Sequence, residues 1–525
     1  MRTDSIELEL FRHLLVSIAE EMGAVLRKTS YSANIKERRD YSCAVYDAEG
    51  ETVAMGDHMP VHLGAMPLSV LHAIRAFDFK PGDVAILNDP FRGGTHLPDI
   101  TAVSAVFVKG SRRPAFYVAN RAHHADVGGM SPGSMPLARE IYQEGLRIPP
   151  ILIARGGQFD RDLLNMILAN VRTPVEREGD LLAQCMAIKR GEQRLHELVA
   201  KYGLAKVRRN MTALKDYSER MMRAAIRKLP AGEYRFEDVL DSDGISAGPV
   251  TIRAEVTIHG DRAIIDFTGS SPQVAGSVNA NHAIAVSATA YVFRCLVNED
   301  IPYTAGVMRP ITIIAPERTV VNAQAPAAMA AGNVETSQRI TDVVLGALAE
   351  AAPALIPAAS SGTMNNITFG GLDPRRDHPF AYYETIAGGM GASAISDGAS
   401  ATHTHMTNSW NTPVEAFEHQ YPLRIRSYRI RSGSGGAGGH SGGDGIVREF
   451  EFLTAADVTI LSDRRARGPY GLAGGKPGSP GRNTLIRGKR FAAIPAKAKF
   501  DVGPSDVLRI ESPGGGGYGS PRKKT

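Results

Sequence analysis

The chain has 525 residues, of which 43% are hydrophobic and 22% are charged, and its formal net charge is +5. The length allows about two to four domains, the composition is that of an ordinary globular protein, and no apolar run reaches the length of a membrane span. We therefore expect no membrane partner. We also expect no nucleic-acid partner, because the basic clusters lack interleaved aromatic residues.

The N-terminus and the cysteines bear on the cellular compartment. The first residues include acidic side chains and lack the apolar core of a signal peptide, which predicts a cytoplasmic location. The three cysteines, Cys43, Cys185 and Cys295, are far apart and lie in apolar settings. Such cysteines are typical of buried thiols in a reduced compartment, and not of disulfides or of a thiolate metal site.

The N-terminal part of the chain is predicted to be one long helix followed by short strands. Apolar residues recur at helical spacing from Ile6 to Val25, and Asp4 is suited to cap the predicted helix over residues 4–28. Two strand-like runs around the turn at residues 48–50 predict a hairpin with Asp40 at its entrance. The next predicted elements are a loop with His58 and His62, a helix over residues 68–77, a buried strand over 83–88, and a hairpin of strands over 101–108 and 115–120.

The rest of the chain lacks the even βαβ spacing of a barrel or of a doubly wound sheet. The predicted helices cover residues 159–170, 174–202, 207–229, 283–297 and 338–351. Strand signals begin near Tyr234 and return at residues 311–315. Beyond about residue 358 the sequence is rich in glycine and irregular, with strands expected at residues 447–452 and 458–461.

These patterns predict a mixed α/β (α+β) fold of several domains. The expected parts are a strand-rich N-terminal region that carries a metal site, a helical middle, an α/β domain, and a mixed, glycine-rich C-terminal region. Their predicted bounds are residues 1–148, 149–230, 231–357 and 358–525. The glycine runs lack the GK[ST] of a phosphate loop, and we expect them to allow close approach of backbones.

Two clusters of histidine and aspartate flank the strands of the second predicted hairpin. His96 and Asp99 lie in NDPFRGGTHLPD, where a proline between them prevents a helix. The end of the neighbouring strand adds His123, His124 and Asp126. Imidazole and carboxylate groups are ligands of Zn²⁺, Mn²⁺ or Fe²⁺, and two ligands from each segment can close around one ion. The alternative for the first cluster is a turn in which Asp99 caps a backbone amide, and the second cluster favours the metal site.

Other histidine pairs give weaker signals. His58 and His62 are four residues apart, but a proline between them argues against a helical metal-binding motif. They could contribute a ligand or a proton shuttle, and packing around the site or within the loop is the expected role. His403 and His405 are equally compatible with a polar surface strand and with an active site.

No Ser-His-Asp or Cys-His arrangement has a recognisable signature in this sequence. If the protein is hydrolytic, the economical nucleophile is a metal-bound water, whose pKa the ion lowers toward neutrality. Asp126 or His124 could act as its base.

Several segments, in chain order, resemble the hydantoinase B/oxoprolinase family. They are KERRDYSCAVYD, PVHLGAM, NDPFRGGTHLPDI, RAHHADVGG, DFTGSSPQVAGSVNA, TNSWNTPVEAFEHQYP and PGGGGYGSP. The resemblance implies a partner of hydantoinase A type, which binds ATP and phosphorylates the substrate, in a hetero-oligomer of α2β2 or higher order. Such pairs open cyclic amides, namely hydantoins, N-methylhydantoin, 5-oxoproline or lactams, while relatives carboxylate ketones.

The resemblance also implies roles around a single Zn²⁺ or Mn²⁺. The implied ligands are His96, Asp99, His123 and Asp40, of which Asp40 is owed to the resemblance alone. Arg92 and Arg121 flank the ligand motifs and are suited to hold the phosphate as planar donors, with a structural ion pair as the alternative for each. In the implied reaction the partner phosphorylates the amide oxygen, and the metal site delivers water to the activated carbon.

Two other functions stay open at the level of the sequence. The chain could be a subunit of an ATP-dependent ketone carboxylase that uses the same site. It could also be a non-catalytic subunit that stabilises its ATP-binding partner. The enzymatic functions predict that alanine at His96 or His123 removes metal and turnover, whereas the stabilising role predicts no such loss.

Overall fold

The computed structural model describes residues 4–56 and 58–521. The first seven strands are β1 (Tyr41–Tyr46), β2 (Thr52–Met55), β3 (Val84–Leu87), β4 (Asp99–Val106), β5 (Phe116–His123), β6 (Ile151–Arg155) and β7 (Gln158–Phe159). They form one antiparallel sheet in the order β2-β1-β5-β4-β3-β6-β7. The two predicted hairpins, β1–β2 and β4–β5, are confirmed.

Helices cover both faces of this sheet. They are α1 (Ser5–Thr29), α2 (Ala33–Lys36), α3 (His62–Ala76), α4 (Arg161–Leu168), α5 (Pro174–Tyr202) and α6 (Leu204–Ile226), with short 3-10 helices at Pro90–Arg92, Pro132–Ser134 and Ile141–Gln143. Asp4 caps α1 as predicted, because its carboxylate accepts a hydrogen bond from the backbone N–H of Ile6. Apolar side chains of α1 and α5 pack against one face of the sheet, and those of α3 pack against the other.

Alternation along β4 and β5 decides which side chains meet which helix. Successive residues of a strand point to opposite faces. Ala122 belongs to the core beneath α1 and α5, whereas Val103 and Ala119 belong to the core beneath α3. Asp99 and His123 are an even number of residues from Val103 and Ala119, so they lie on the face that α3 covers.

Helix α3 begins at His62, earlier than the predicted start at residue 68, so the prediction that placed His62 in a loop was wrong. Pro67 has no N–H to bond to the carbonyl of Leu63, which is why a helix was not expected to continue through it. In the structure the hydroxyl of Tyr303 donates to that carbonyl at 3.0 Å. His62 therefore sits in the first turn of a helix.

A second sheet and two buried helices follow. The elements are β8 (Gly232–Leu240), β9 (Val250–His259), β10 (Arg262–Asp266), α7 (His282–Leu296), a 3-10 helix (Ala305–Met308), β11 (Ile311–Ile314), a π-helix (Gly332–Thr336) and α8 (Ser337–Ala351). The sheet order is β11-β10-β9-β8, with β10 and β11 parallel and the other pairs antiparallel. Because α8 is buried from Ser337 to Ala349, it lies in the interior and not at the surface.

The C-terminal part contains many more strands than the two that the sequence predicted. The strands are β12 (Asn366–Asp373), β13 (His378–Glu384), β14 (Leu423–Arg431), β15 (Gly445–Phe452), β16 (Ala456–Leu461), β17 (Arg482–Arg487), β18 (Arg490–Ile494), β19 (Lys497–Val502) and β20 (Val507–Glu511). A short helix, α9 (Val414–Gln420), lies between β13 and β14 in the chain. The strands form two sheets, in the orders β13-β12-β16-β19 and β14-β15-β20-β17-β18. Many pairs, such as β12 with β16, are distant in sequence, so local patterns gave no sign of the pairing.

Glycine-rich segments of this part lie backbone against backbone. The N–H of Gly443 donates to the carbonyl of Met390 at 2.8 Å, and the N–H of Gly515 donates to that of Gly443 at 2.9 Å. A Cβ added to Gly515 would come within 2.0 Å of the Met390 oxygen. The expectation that the glycine runs allow close backbone approach is confirmed.

The predicted fold class, a mixed α/β architecture of several domains, is confirmed. The four domain ranges stay a prediction, and the first sheet takes β6 and β7 from beyond residue 148. Within the part of the chain that the structure describes, no helix is both long enough and apolar enough to cross a membrane.

Candidate metal centre

Asp99 and His123 face each other across the β4–β5 hairpin, where the strand register pairs them directly. Asp99 Oδ1 lies 3.2 Å from His96 Nε2 and 3.3 Å from His123 Nδ1. All three residues are buried, and one ligand atom from each lies within 4.8 Å of the others. The two clusters found in the sequence therefore meet, and we call these three residues the triad.

The second carboxylate oxygen of Asp99, Oδ2, contacts two neighbouring side chains. His62 Nε2 lies 3.4 Å from Asp99 Oδ2, and Thr95 Oγ1 donates to the same oxygen at 3.1 Å. The other ring nitrogen of His62 is 2.8 Å from Ser42 Oγ. These contacts fix the plane of the carboxylate and direct Oδ1 toward the histidines, as the outer hydrogen bonds of metal sites commonly do.

His96 is oriented by the backbone of a distant segment. Its Nδ1 donates to the carbonyl of Ala330 at 3.2 Å, so the lone pair of Nε2 points into the triad. The side-chain oxygen Oε1 of Glu144 accepts from the N–H groups of Met329 and Ala330 at 2.8 and 2.9 Å. Glu144 is itself buried. It therefore fixes the carbonyl that sets the tautomer of His96.

The charges of the triad suit cation binding at neutral pH. Burial raises the pKa of Asp99, but the charge that His96 carries when it is protonated and the hydrogen bonds from the surrounding histidines favour the carboxylate more strongly, and the net effect is a pKa well below the ordinary value. Burial also lowers the pKa of His123. Asp99 is thus anionic and His123 neutral, which are the states in which both groups bind metals.

The spacing of the triad fits a divalent ion. In a tetrahedral site, ligand bonds of about 2.0–2.2 Å place neighbouring ligand atoms roughly 3.3–3.6 Å apart. The measured N–O distances of 3.2 and 3.3 Å are close to that spacing. The triad can therefore hold one metal ion.

Asp40, the predicted fourth ligand, lies beside His123. Its carbonyl accepts a hydrogen bond from the N–H of His123 at 3.0 Å, and its negative charge acts to raise the pKa of that histidine. The carboxylate of Asp40 is outside the group of converging ligand atoms. Its role as a ligand stays a prediction.

The two predicted arginines have different surroundings. Arg121 is fully buried on the same strand face as the triad, and among the described residues it donates only to hydroxyl and carbonyl oxygens, the closest being Ser69 Oγ at 2.7 Å. Burial lowers its pKa, and the charge of Asp99 opposes this effect. The Arg92 side chain is 63% exposed, and its guanidinium lies 3.9 Å from the carboxylate of Asp89.

His124 and Asp126, the predicted bases, are not brought to the triad. His124 contacts helix α5, where its Nε2 is 3.0 Å from Gln184 Oε1, and burial lowers its pKa to about 4. The carboxylate of Asp126 accepts from the backbone of Gly128 at 3.0 Å and from the guanidinium of Arg172 at 2.9 Å. A catalytic role for either residue stays a prediction, and these contacts do not favour it.

Sequence reasoning missed several neighbours of the triad. The ring of Tyr383 stacks on that of His123, with 4.4 Å between ring centroids and 15° between planes. Asn333 reaches His96 from the π-helix, 237 positions further along the chain. Neither residue has a local signal, because its position follows from contacts between distant segments. His62 did have a signal, its place in PVHLGAM, and the sequence assigned it to packing around the site.

Replacing Glu144 with glutamine is expected to change the pH dependence of stability. Burial raises the pKa of Glu144 from 4.5 to about 8, so between these values the folded protein holds a proton that the unfolded chain has lost. The contribution of the Glu144 carboxyl to the free energy of unfolding of the wild-type protein therefore falls as pH rises through this window, by about 1.4 kcal/mol for each pH unit. Thermal unfolding of both proteins from pH 5 to 8 should show Glu144→Gln gaining relative stability with pH.

The control for this experiment is Glu415→Gln, because Glu415 is exposed on α9. It should leave the wild-type pH profile unchanged. A difference between Glu144→Gln and wild type that is constant across the pH range would contradict the assignment of a protonated, buried carboxyl at residue 144.

Comparison with known proteins gives a consistent result. The sequence model of the hydantoinase B/oxoprolinase family matches residues 4–521. The 5-oxoprolinase of Saccharomyces cerevisiae is 40% identical over 98% of this chain, which spans 42% of that protein. The structure of ATP-dependent caprolactamase from Pseudomonas jessenii superposes with a TM-score of 0.92 at 31% identity, covering 99% of this chain and 92% of that chain. A nucleotide-free structure of acetone carboxylase has a TM-score of 0.90 at 18% identity, covering 99% and 76%, and shares the fold.

Proposed function

The chain belongs to the hydantoinase B/oxoprolinase family, and from this membership together with the triad we propose that it is the metal-holding subunit of an ATP-dependent enzyme that opens cyclic amides. The observation that carries the proposal is the buried convergence of His96, Asp99 and His123. By their names, two similar proteins act on 5-oxoproline and on caprolactam, which are both cyclic amides. This supports the same substrate class for the present chain.

The proposed reaction needs ATP because an unstrained amide is a poor electrophile. Phosphorylation of the amide oxygen creates a better leaving group and a more reactive carbon. We assign this step to a separate partner of hydantoinase A type, in a hetero-oligomer of α2β2 or higher order. The chain spans only 42% of the yeast 5-oxoprolinase, so that enzyme has ample length for a second functional part, which supports the division of labour.

The residues of this chain would hold the ion and fix its surroundings. A bound Zn²⁺ or Mn²⁺ supplies Lewis-acid chemistry and the activation of water. Asp99 contributes the negative charge, and His62 and Thr95 keep its carboxylate plane fixed. His96 presents Nε2 because its other nitrogen is bound to a backbone carbonyl. Burial of the triad excludes bulk water and strengthens each of these electrostatic contacts.

Arg121 would balance the charge of the site. Its donors are engaged with Thr101, Thr95, Ser69 and the backbone of Ala65. Thr95 bonds in turn to Asp99, so the guanidinium is linked to the triad through one hydroxyl. Because four of its five N–H groups are already used, these contacts support charge compensation better than the capture of a phosphate group.

The test is reconstitution with a partner of hydantoinase A type. ATP hydrolysis and ring opening would be measured with hydantoin, 5-oxoproline and caprolactam in turn. We expect at least one cyclic amide to stimulate ADP formation and to yield the opened product in a matching amount. His96→Ala in the same complex should stop the ring opening.

Two other outcomes would contradict the proposal and support a different function. ATP use that depends on bicarbonate and a ketone, with no response to any cyclic amide, would make the chain a carboxylase subunit. Full turnover by the complex that carries His96→Ala would make it a non-catalytic, stabilising subunit. Each outcome is read from the same reconstituted complex.

A further inference from the structure

The side chain of Asn333 occupies the edge of the triad. Its Nδ2 lies 3.0 Å from His96 Nε2 and 3.4 Å from Asp99 Oδ2. These distances are close to those that separate the triad's own ligand atoms. The residue is buried, and its Oδ1 has no hydrogen-bond partner among the described residues. The amide of Asn333 therefore places its nitrogen at the triad, and its oxygen has no hydrogen-bond partner among the described residues.

The proton positions of His96 decide what the amide can do. Nδ1 of His96 carries the proton that is donated to the Ala330 carbonyl, so Nε2 is an acceptor. Without an ion, the amide of Asn333 donates to that lone pair. An ion that binds Nε2 takes the same lone pair, and the N–H of Asn333 then loses its acceptor and faces a cation.

A half-turn of the amide group removes this conflict. The nitrogen and oxygen of an asparagine amide are nearly equal in size, so the rotation exchanges them with little change in packing. The rotation would place Oδ1, which now has no partner, toward the ion. The amide oxygen is a neutral, hard ligand of the kind that Mn²⁺ favours.

The backbone of Asn333 is held firmly enough to serve a site. It lies in the π-helix that leads into α8, and such segments occur often at functional sites. A Cβ added to the preceding Gly332 would come within 1.8 Å of the Asn279 carbonyl, so this turn packs directly against another backbone. Ser337 Oγ also donates to the Asn333 carbonyl at 2.7 Å.

We propose that Asn333 is a further ligand, which contributes its amide oxygen to the ion held by His96, Asp99 and His123. The inference rests on the proposed metal-holding function and adds a residue from the π-helix to it. It also gives the site a hard oxygen donor beyond the carboxylate of Asp99.

The test is calorimetric titration of the full-length apo protein with Mn²⁺ alone and with Zn²⁺ alone. Asn333→Leu keeps the shape of the side chain and removes the oxygen, and it should weaken Mn²⁺ binding by roughly 10- to 100-fold. Asn333→Asp supplies a charged oxygen and should bind Mn²⁺ more tightly than wild type. Asn322→Leu is the matched control, because the same change is made at an asparagine whose amide donates to the carbonyl of Ala315 and not to the triad, and it should bind Mn²⁺ within about twofold of wild type.

The outcomes separate this inference from the proposed function. Absence of binding by the wild-type protein would overturn both. Equal Mn²⁺ affinity in wild type and a folded Asn333→Leu would overturn only the role of Asn333. If thermal unfolding shows that Asn333→Leu is not folded, the Mn²⁺ affinity of Asn333→Asp is the deciding measurement. An Asn333→Asp protein that binds Mn²⁺ no more tightly than wild type would then overturn the proposal.

Discussion

Replacing His123 with alanine is expected to weaken binding of the divalent ion by roughly 100-fold or more and to abolish ring opening by the reconstituted complex. The change removes one of the three converging ligand atoms. Zinc sites with four ligands have binding free energies of roughly 10–16 kcal/mol, or about 3 kcal/mol for each ligand. The change also leaves Asp99, a fully buried carboxylate, without one of the hydrogen bonds that lower its pKa. Elemental analysis after dialysis against a chelator, together with turnover, measures both effects.

The neighbouring histidine provides a matched control. His124 is equally buried, but it contacts Gln184 on helix α5 and not the triad. His124→Ala should therefore keep a stoichiometric ion, and thermal unfolding of both variants separates loss of metal from loss of fold. A folded His123→Ala protein with full metal content and turnover would contradict the triad. A His124→Ala protein that keeps its metal but loses turnover would instead support the predicted base.

The triad could be found from the sequence because two adjacent strands carry it. Asp99 begins β4 and His123 ends β5, so a short hairpin is enough to bring the two clusters together. The sequence could not show which of His123, His124 and Asp126 reaches the metal site, because the face to which each side chain points depends on the strand register. That register sends His123 toward helix α3, while His124 meets helix α5.

The outer contacts of the site could not be predicted for a different reason. Glu144, Asn333 and Tyr383 come from separate parts of the chain, and only the packing of the first sheet against the segments around α8 and β13 brings them to the histidines. The early start of α3 had a similar cause, because a tyrosine hydroxyl from a distant segment replaces the hydrogen bond that Pro67 cannot make. Local propensity carries no information about such partners.

The glycine-rich region shows how composition can indicate a packing mode without indicating its topology. The sequence predicted close backbone approach there, and extended segments from three distant parts of the chain do make it. Which segments become neighbours is set by the surrounding sheets, in which several strand pairs, such as β12 with β16 and β15 with β20, are long-range. Each glycine at such a contact should therefore be far less tolerant of a side chain than a glycine that faces open space.

Replacing Gly391 with alanine is accordingly expected to destabilise the protein by at least about 4 kcal/mol, or to prevent folding of the C-terminal part. A Cβ at this position would come within 1.8 Å of the Ala358 oxygen and 2.5 Å of its carbonyl carbon, and these backbone atoms cannot rotate away. The same segments are joined by a 2.8 Å hydrogen bond from the N–H of Ala358 to the carbonyl of Ala392, so separating them also breaks backbone pairing.

Gly503→Ala is the matched control, because an added Cβ there meets no atom within 4 Å and the residue has no left-handed φ. Thermal unfolding should show a midpoint lower by about 4 °C or more for Gly391→Ala and little change for Gly503→Ala. Limited proteolysis should cut the first variant in its C-terminal part and spare the second. Equal midpoints for the two variants would mean that the segments around Ala358 and Gly391 can separate at little cost, and that backbone contact between glycine-rich segments is not what holds this region together.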